Sequence, residues 1–356
     1  MRICTVVGIR PQYIKMSILM KKMATNEKIK NIIINIGQHY DYEMAQQFFK
    51  EMGIPNADYN LEASSEIPSF QHSEVLTKLR MILKKEKPDI CLVVGDAYPT
   101  FVGTLVAKEL KIPVGHVEAG VRSFNRGMAE EIIRLYVDHN SQFLFAPTET
   151  AVKNLLMEGI FKEKIFLTGD VTVDVLNENV KGAEKSNIMN ELGLETKNYI
   201  LFTLHRTESV DNKETLESIL SILPQLKNVV FPIHPKTKKT IEKMGLSNLL
   251  EGVIVTEPLA YFDFISLLKN ASVFVTDSGG AQKEAFILRT PCVTVRDETE
   301  WIETVNLGFN MVAGTKTDYI LKCIEEMKNK ELTRVDNPFG DGAASENIID
   351  ILEEFF

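Results

Sequence analysis

The sequence predicts an α/β protein of two doubly wound domains, each a parallel sheet with helices on both faces. Short runs that are apolar throughout alternate with longer segments of helical periodicity, and such strands are typical of sheets buried on both faces. The chain has 356 residues, which at roughly 150 residues per domain fits two domains. The alternation weakens once, at 170–187, where we place the interdomain linker.

The first half, residues 1–170, is the predicted N-terminal domain. Its apolar runs are rich in Ile and Val, and the segments 14–23, 43–52, 73–85 and 130–140 between them have helical character. The predicted strands of this half are 3–7, 32–36, 90–94, 114–117, 143–146 and 165–167.

The second half, residues 171–343, is the predicted C-terminal domain, and the final helical segment, 344–356, is predicted to cross back onto the first domain. Its predicted strands are 199–204, 229–233, 253–255, 273–276, 291–295 and 310–312. In such sheets ligands bind beyond the carboxyl ends of the strands. We therefore expect the two domains to face each other across a cleft that holds the active site.

The composition excludes several classes of protein. Lys and Arg number 40 against 49 Asp and Glu, a net charge of −9 that argues against a nucleic-acid binder. Cys4, Cys91, Cys292 and Cys323 lie far apart, which disfavours a zinc site or a disulfide framework and fits a reducing cytoplasm. No apolar run approaches a membrane helix or a signal peptide. We expect a cytoplasmic protein with no nucleic-acid or membrane partner.

Polar clusters follow nearly every predicted strand, most of them with a Gly or Pro nearby. One such cluster is ordinary turn chemistry, but their recurrence in both halves predicts a functional cleft. The clusters contain Arg10 and Lys15; Gln38 and His39; Asp96; Glu118 and Arg122; His205 and Arg206; His234; Asp277 to Gly280; and Arg296.

The glycine-rich segment Asp277-Ser278-Gly279-Gly280 is the strongest local signal. It opens a predicted helix whose free N–H groups and dipole suit a phosphate, and Glu284 one turn later suits ribose hydroxyls. A plain helix N-cap with a glycine turn is the alternative interpretation. No GxGxxG follows a strand and no GxxxxGK[ST] is present, which disfavours a standard NAD site and a P-loop.

Three carboxylates of the first half, Asp96, Glu118 and Glu131, are candidates for proton transfer. Acids that converge on one cleft repel one another, which can raise a pKa and prepare a group for acid–base catalysis. For Glu131 the alternative is ordinary charge complementarity at a helix start. His116 is expected at most to orient the loop that carries Glu118.

These motifs together resemble the non-hydrolysing UDP-N-acetylglucosamine 2-epimerase family. The resemblance runs from Gly8 to about Gly342, and motifs that match in order and spacing are highly specific. The matching segments are His116-Val-Glu-Ala-Gly-Val-Arg-Ser-Phe, Glu130-Glu131, Phe145-Ala-Pro-Thr-Glu149, Leu204-His-Arg, Ile233-His-Pro and Thr276-Asp-Ser-Gly-Gly-Ala-Gln-Lys-Glu-Ala.

The resemblance implies two Rossmann-like domains of GT-B type, a homodimer, and reversible C2 epimerisation of a UDP-2-acetamido sugar for surface-polysaccharide synthesis. It implies anti elimination of UDP and re-addition to a 2-acetamidoglucal, without cofactor or metal. It implies catalytic roles for Asp96, Glu118, Glu131 and His205. The implied substrate and UDP contacts are Arg10, Lys15, Gln38, His39, Arg122, Leu259, Phe264, Ser278, Gly279, Gly280, Glu284 and Trp301.

Two departures from the family pattern bear on the substrate. Gln12 stands where the family commonly has Glu, and Trp301 where it has Arg. Both variants resemble the branch acting on UDP-2,3-diacetamido-2,3-dideoxy-glucuronate, which we slightly favour. Neutral drift at both positions would leave UDP-N-acetylglucosamine as substrate. A hydrolysing epimerase, a GT-B glycosyltransferase and a non-catalytic nucleotide-sugar sensor are the further alternatives.

Overall fold

The structure is a computed structural model that describes residues 1–37, 53–61, 68–332 and 335–356. It divides into unit 1, Met1–Asn177 with Asn337–Phe356, and unit 2, Glu178–Asp336. The predicted helix at 43–52 lies outside the described residues. Among the residues that the structure describes, no helix combines the length and apolar character needed to cross a bilayer.

Unit 1 contains a seven-stranded sheet in the order β3-β2-β1-β4-β5-β6-β7, and its described strand pairs are all parallel. The strands are β1 Arg2–Val7, β2 Lys30–Asn35, β3 Tyr59–Asn60, β4 Ile90–Val94, β5 Val114–Val117, β6 Phe143–Ala146 and β7 Ile165–Leu167. Every residue of β4 is buried, as expected for a strand covered on both faces.

The helices of unit 1 lie between these strands and after them. They are α1 Arg10–Thr25, α2 Pro68–Glu86, α3 Tyr98–Glu109, α4 Ala129–Asn140, α5 Glu149–Met157, α6 Val171–Ala183 and, after unit 2 in the chain, α15 Ala344–Phe355. Proline occupies the first turn of α1 and of α3, where its missing N–H leaves no hydrogen bond unmade.

Unit 2 contains a six-stranded parallel sheet in the order β10-β9-β8-β11-β12-β13. Its strands are β8 Ile200–Thr203, β9 Val229–Pro232, β10 Ile254–Thr256, β11 Val273–Thr276, β12 Cys292–Thr294 and β13 Asn310–Val312. Its helices are α7 Ile188–Glu191, α8 Thr207–Val210, α9 Lys213–Leu220, α10 Pro235–Met244, α11 Tyr261–Asn270, α12 Gly279–Ile287, α13 Ile302–Asn306 and α14 Thr317–Lys328. The prediction of two doubly wound parallel sheets is confirmed.

The segment expected to be a linker, 170–187, is mostly helix α6. Val171, Val173, Val175 and Leu176 are buried while several polar side chains face solvent, so the polar composition belongs to an amphipathic helix. The boundary between the units falls within this helix.

Helix α15 belongs to unit 1, where its N-terminus binds Asp174 on α6. The carboxylate accepts hydrogen bonds from the backbone N–H of Ser345 at 2.8 Å and of Ala344 at 3.2 Å. Burial raises the pKa of Asp174, although these N–H donors act in the opposite direction. One carboxylate therefore supplies the acceptor that this helix start needs.

Replacing Asp174 by alanine should lower the free energy of unfolding of unit 1 by about 1–2 kcal/mol, because two buried N–H groups lose their acceptor. Urea unfolding measures the change. Asp350→Ala is the matched control, since Asp350 lies on an exposed face of α15. Equal stability of the two variants would contradict the capping role.

Candidate functional site

The carboxyl ends of β1, β4 and β5 bring several predicted residues of unit 1 together. In the sheet order, the chain winds outward from β1 to β3 and then resumes at β4 on the other side of β1. Ligands of doubly wound sheets bind at such a switch point. Lys15 on α1, Asp96 after β4 and Glu118 after β5 lie at this edge.

Lys15 and Glu118 form an ion pair, with 2.7 Å between Nζ and Oε1. Glu118 is 7% exposed, and its backbone φ of +70° is one that residues other than glycine rarely adopt. A Cβ placed on Gly95 would lie 3.7 Å from both charged atoms. The pair therefore lies directly beside the end of β4. Lys15 was predicted to contact UDP, and in the structure it binds Glu118, a predicted catalytic carboxylate.

Arg134, on one face of helix α4, binds the other two predicted carboxylates, Asp96 and Glu131. Arg134 binds Asp96 after β4 and also Glu131, with 3.0 Å between Nη1 and Oε2 of Glu131. Glu131 in turn accepts hydrogen bonds from the backbone N–H groups of Ser123 at 2.9 Å and Phe124 at 3.0 Å. The structure thus places Asp96 and Glu131 beside one guanidinium. Its residue, Arg134, was not among the predicted site residues.

Asp138, two turns beyond Glu131 on the same face, binds the loop that carries Glu118. It is 1% exposed and accepts hydrogen bonds from Gly120 N at 3.1 Å and Arg122 Nη2 at 2.7 Å, and lies 2.6 Å from His116 Nδ1. Burial on its own would raise the pKa of Asp138, but the charges and hydrogen bonds of His116 and Arg122 lower it overall. The repulsion expected among Asp96, Glu118 and Glu131 is likewise offset by the cations Arg134 and Lys15 that bind them.

Arg122, a predicted substrate contact, is buried within unit 1. Its Nε and Nη2 bind Glu158 at 2.7 and 2.8 Å, and its Nη1 donates to the carbonyl oxygen of Val121. Burial acts to lower the pKa of Arg122, but Glu158 and Asp138 raise it overall. These contacts stabilise the loop after β5. The role of Arg122 as a substrate contact stays a prediction.

In unit 2, the ends of β8 and β11 are joined by Asp277, which is fully buried. Its carboxylate accepts from the backbone N–H of His205 at 3.0 Å and of Arg206 at 2.8 Å, and His205 Nδ1 lies 3.4 Å from Oδ1. The His205 side chain is 45% exposed. The backbone of the turn is fixed while the imidazole remains accessible.

Helix α12 begins at Gly279, with Ser278 at its N-cap, and its N-terminus is open at Gly280. The side chain of Ser278 at its N-cap makes no capping hydrogen bond to the described helix. A Cβ on Gly280 would meet no atom of the described chain within 4 Å, whereas one on Gly279 would lie 3.2 Å from Glu300 and 3.7 Å from Arg206. These N–H groups can therefore receive an anion beside a guanidinium.

The remaining predicted contacts of unit 2 lie on α11, α12 and the loops nearby. Glu284 on α12 accepts a hydrogen bond from the hydroxyl of Tyr261 at 3.3 Å. The pKa of Tyr261 is raised, mainly because the hydroxyl is buried and further because Glu284 is close to it. Leu259 and Phe264 are partly buried against the core of this unit. Trp301 is 4% exposed, with Lys283 Nζ 4.0 Å from its ring centroid.

The last predicted residues lie at the first turn of unit 1. Arg10 is exposed at the start of α1. Gln12 is buried, accepts from Gly8 N at 3.0 Å, and donates to the Val94 carbonyl oxygen at 3.0 Å. Gln38 and His39 lie outside the described residues.

Replacing Gly120 by alanine should lower the free energy of unfolding by several kcal/mol. Gly120 has a φ of +80°, and a Cβ there would lie 2.4 Å from the backbone oxygen of Ala151. Gly159→Ala is the matched control, because Gly159 has a φ of +79° and an open environment. The control should lose only about 1–2 kcal/mol, the cost of the left-handed backbone. Equal losses on urea unfolding would contradict the close approach of α5.

Comparison with known proteins places these residues in context. The profile of the family described as UDP-N-acetylglucosamine 2-epimerase matches residues 21–353. The chain is 42% identical to the UDP-N-acetylglucosamine 2-epimerase of Methanocaldococcus jannaschii, over 99% of each chain. It is 38% identical to the UDP-2,3-diacetamido-2,3-dideoxy-D-glucuronate 2-epimerase of Pseudomonas aeruginosa, again over 99% of each. A UDP-N-acetylglucosamine 2-epimerase homologue of Methanococcus maripaludis is 44% identical, over 99% of each chain.

Solved structures extend the similarity to the whole fold. The crystal structure of the Methanocaldococcus jannaschii epimerase in complex with UDP-GlcNAc and UDP matches with a TM-score of 0.92 and 42% identity, covering 99% of this chain and 100% of that one. The Neisseria meningitidis enzyme bound to UDP-GlcNAc matches with a TM-score of 0.89 and 32% identity, covering 99% and 100%.

Proposed function

The chain belongs to the UDP-N-acetylglucosamine 2-epimerase family, and on that premise we propose that it catalyses the reversible C2 epimerisation of a UDP-2-acetamido sugar. The observation that carries the proposal is the set of carboxylates at the switch point of unit 1, held by Lys15 and Arg134. Unit 2 supplies an open helix start with an adjacent guanidinium.

The proposed reaction divides into elimination and re-addition. The C2 proton of the sugar is not next to a carbonyl, so its direct removal is very unfavourable. Departure of UDP through an oxocarbenium-like state makes that proton acidic, and its loss leaves a 2-acetamidoglucal. Return of a proton to the opposite face of C2, with re-addition of UDP at C1, gives the epimer and restores the enzyme.

Asp96, Glu118 and Glu131 are the groups we assign to proton transfer at C2. Carboxylates suit this task because they accept and return a proton within hydrogen-bond reach. Arg134 fixes Asp96 and Glu131 relative to each other, and Lys15 fixes Glu118. Such fixed geometry is the main contribution that a rigid site makes to this step.

The start of helix α12 and the turn after β8 are the groups we assign to the diphosphate. The leaving UDP develops negative charge, which N–H donors and cations stabilise when they are already in place. Arg206 supports this role because its Nη1 is buried without a hydrogen-bond partner among the described residues. His205, with an exposed imidazole on a fixed backbone, is the second donor. Glu284 suits the ribose hydroxyls.

UDP-N-acetylglucosamine is the first substrate to test. The two departures that favour UDP-2,3-diacetamido-2,3-dideoxy-glucuronate have packing roles of their own. Gln12 uses its amide N–H to reach the end of β4, which an ionised Glu could not do. Trp301 is covered by Lys283. The diacetamido sugar is the second candidate, supported by the 38% identical Pseudomonas enzyme.

The purified protein incubated separately with each UDP-sugar tests the proposal, with products read from the anomeric and C2 protons by NMR. A manno-configured UDP-sugar at equilibrium is the expected result. Accumulation of free UDP with free sugar would identify a hydrolysing enzyme instead, and net transfer of sugar to an acceptor would identify a glycosyltransferase. Binding of UDP without turnover of either sugar would identify a sensor. Light scattering tests the expected homodimer.

Arg134→Met should lower kcat by about 100-fold, because Asp96 and Glu131 lose the cation that fixes them. The dissociation constant for UDP should change little, since the proposed UDP contacts lie mainly in unit 2. Steady-state kinetics and calorimetric UDP binding measure the two quantities.

Arg80→Met is the matched control, since it removes an exposed ion pair with Glu109 and should leave kcat unchanged. A wild-type kcat in the folded Arg134 variant would contradict the assignment.

A further inference from the structure

His116 lies in the middle of unit 1, fully buried on β5, with its ring between two acceptors. Its Nδ1 lies 2.6 Å from Oδ1 of Asp138 on α4, and its Nε2 lies 2.8 Å from the carbonyl oxygen of Gly95 after β4. A carbonyl oxygen only accepts hydrogen bonds, and so does an ionised carboxylate. Both ring nitrogens therefore need to carry hydrogen.

Asp138 has no proton to offer in place of the one on Nδ1. Its second oxygen accepts from Gly120 N and from the guanidinium of Arg122, and both contacts favour the ionised carboxylate. The charge of Arg122 is shared with Glu158, to which it donates two hydrogen bonds. Asp138 therefore has negative charge left to pair with the ring.

We propose that His116 is a positioning residue held as an imidazolium, whose two N–H groups tie the end of β4 to helix α4. The first element carries Asp96, and the second carries Glu131 and Arg134. The link to catalysis rests on the proposed function, but the protonation state does not.

This tie acts at the point where the chain turns toward Asp96. Gly95 has a φ of +66°, its N–H donates to Val117 on β5, and its carbonyl oxygen accepts from His116. Asp96 then reaches Arg134 on the helix that also carries Asp138. Loss of the bond to Gly95 frees the peptide that precedes Asp96, so the carboxylate shifts relative to Glu118 and Glu131.

Nitrogen-15 NMR of histidine-labelled protein tests the protonation state. The chain has six histidines, and His116→Gln assigns the signal by its absence. At neutral pH the wild-type ring should show two protonated nitrogens. In Asp138→Asn, the side-chain amide can donate to Nδ1 while its oxygen still accepts from Gly120 and Arg122, so the ring should become the neutral Nε2–H form. A neutral ring in the wild-type protein would overturn the proposal.

Kinetics of two Asp138 variants test the positioning role. Asp138→Asn keeps the donor to Gly95 and should retain kcat within about threefold, whereas Asp138→Ala leaves three donors unpaired and should lose at least about tenfold in kcat, with KM within about twofold. Asp350→Ala, at an exposed position of α15, is the control and should leave kcat unchanged. A wild-type kcat in Asp138→Ala, or equal losses in both variants, would overturn the role.

Two further measurements keep the outcomes distinct. If Asp138→Ala does not fold, His116→Gln replaces it, because glutamine has a single N–H donor group and cannot reproduce the two opposed ring donors. The same loss of kcat is then expected, and a wild-type kcat overturns the role. A wild-type protein inactive on both UDP-sugars would contradict the proposed function, while the NMR result would still decide the state of His116.

Discussion

The arrangement of unit 1 depends on the guanidinium of Arg134, which holds two carboxylates from different parts of the chain. Asp96 follows β4, and Glu131 lies one turn before Arg134 on α4. Two acids of like charge at one site repel each other, and a shared cation between them removes that cost. Because Glu131 also binds the backbone of Ser123 and Phe124, the same cation fixes the loop after β5.

The two units contribute different chemistry because their strand ends carry different groups. Unit 1 presents carboxylates, each with a cation nearby, which suit proton transfer in the proposed reaction. Unit 2 presents backbone N–H groups at a helix start, with His205 and Arg206 held by Asp277, and these suit a departing diphosphate. A net charge of −9 is thus compatible with an anionic substrate, since local donors rather than the overall charge receive it.

The sequence predicted the fold well because buried parallel strands are apolar along their whole length. It missed β3, which has only two residues, and it did not predict that the segment joining the two units is a helix, α6. The strand-end rule placed Asp96 and Glu118 at one edge of the sheet. It did not find Arg134 or Asp138, although the predicted helix already puts positions 131, 134 and 138 on one face. Asp96 and Gly120, which bind them, are distant in sequence, and only the folded sheet brings these partners to that face.

Solvent deuterium incorporation tests the central claim most directly, since elimination and re-addition must exchange the proton at C2. Incubation in deuterium oxide with UDP-N-acetylglucosamine, and separately with UDP-2,3-diacetamido-2,3-dideoxy-glucuronate, is followed by mass spectrometry and NMR. The account predicts one deuterium at C2 of the epimerised sugar, and a loss of that incorporation in a folded Glu131→Gln variant. Epimerisation without deuterium at C2, or no incorporation into either sugar, would contradict it.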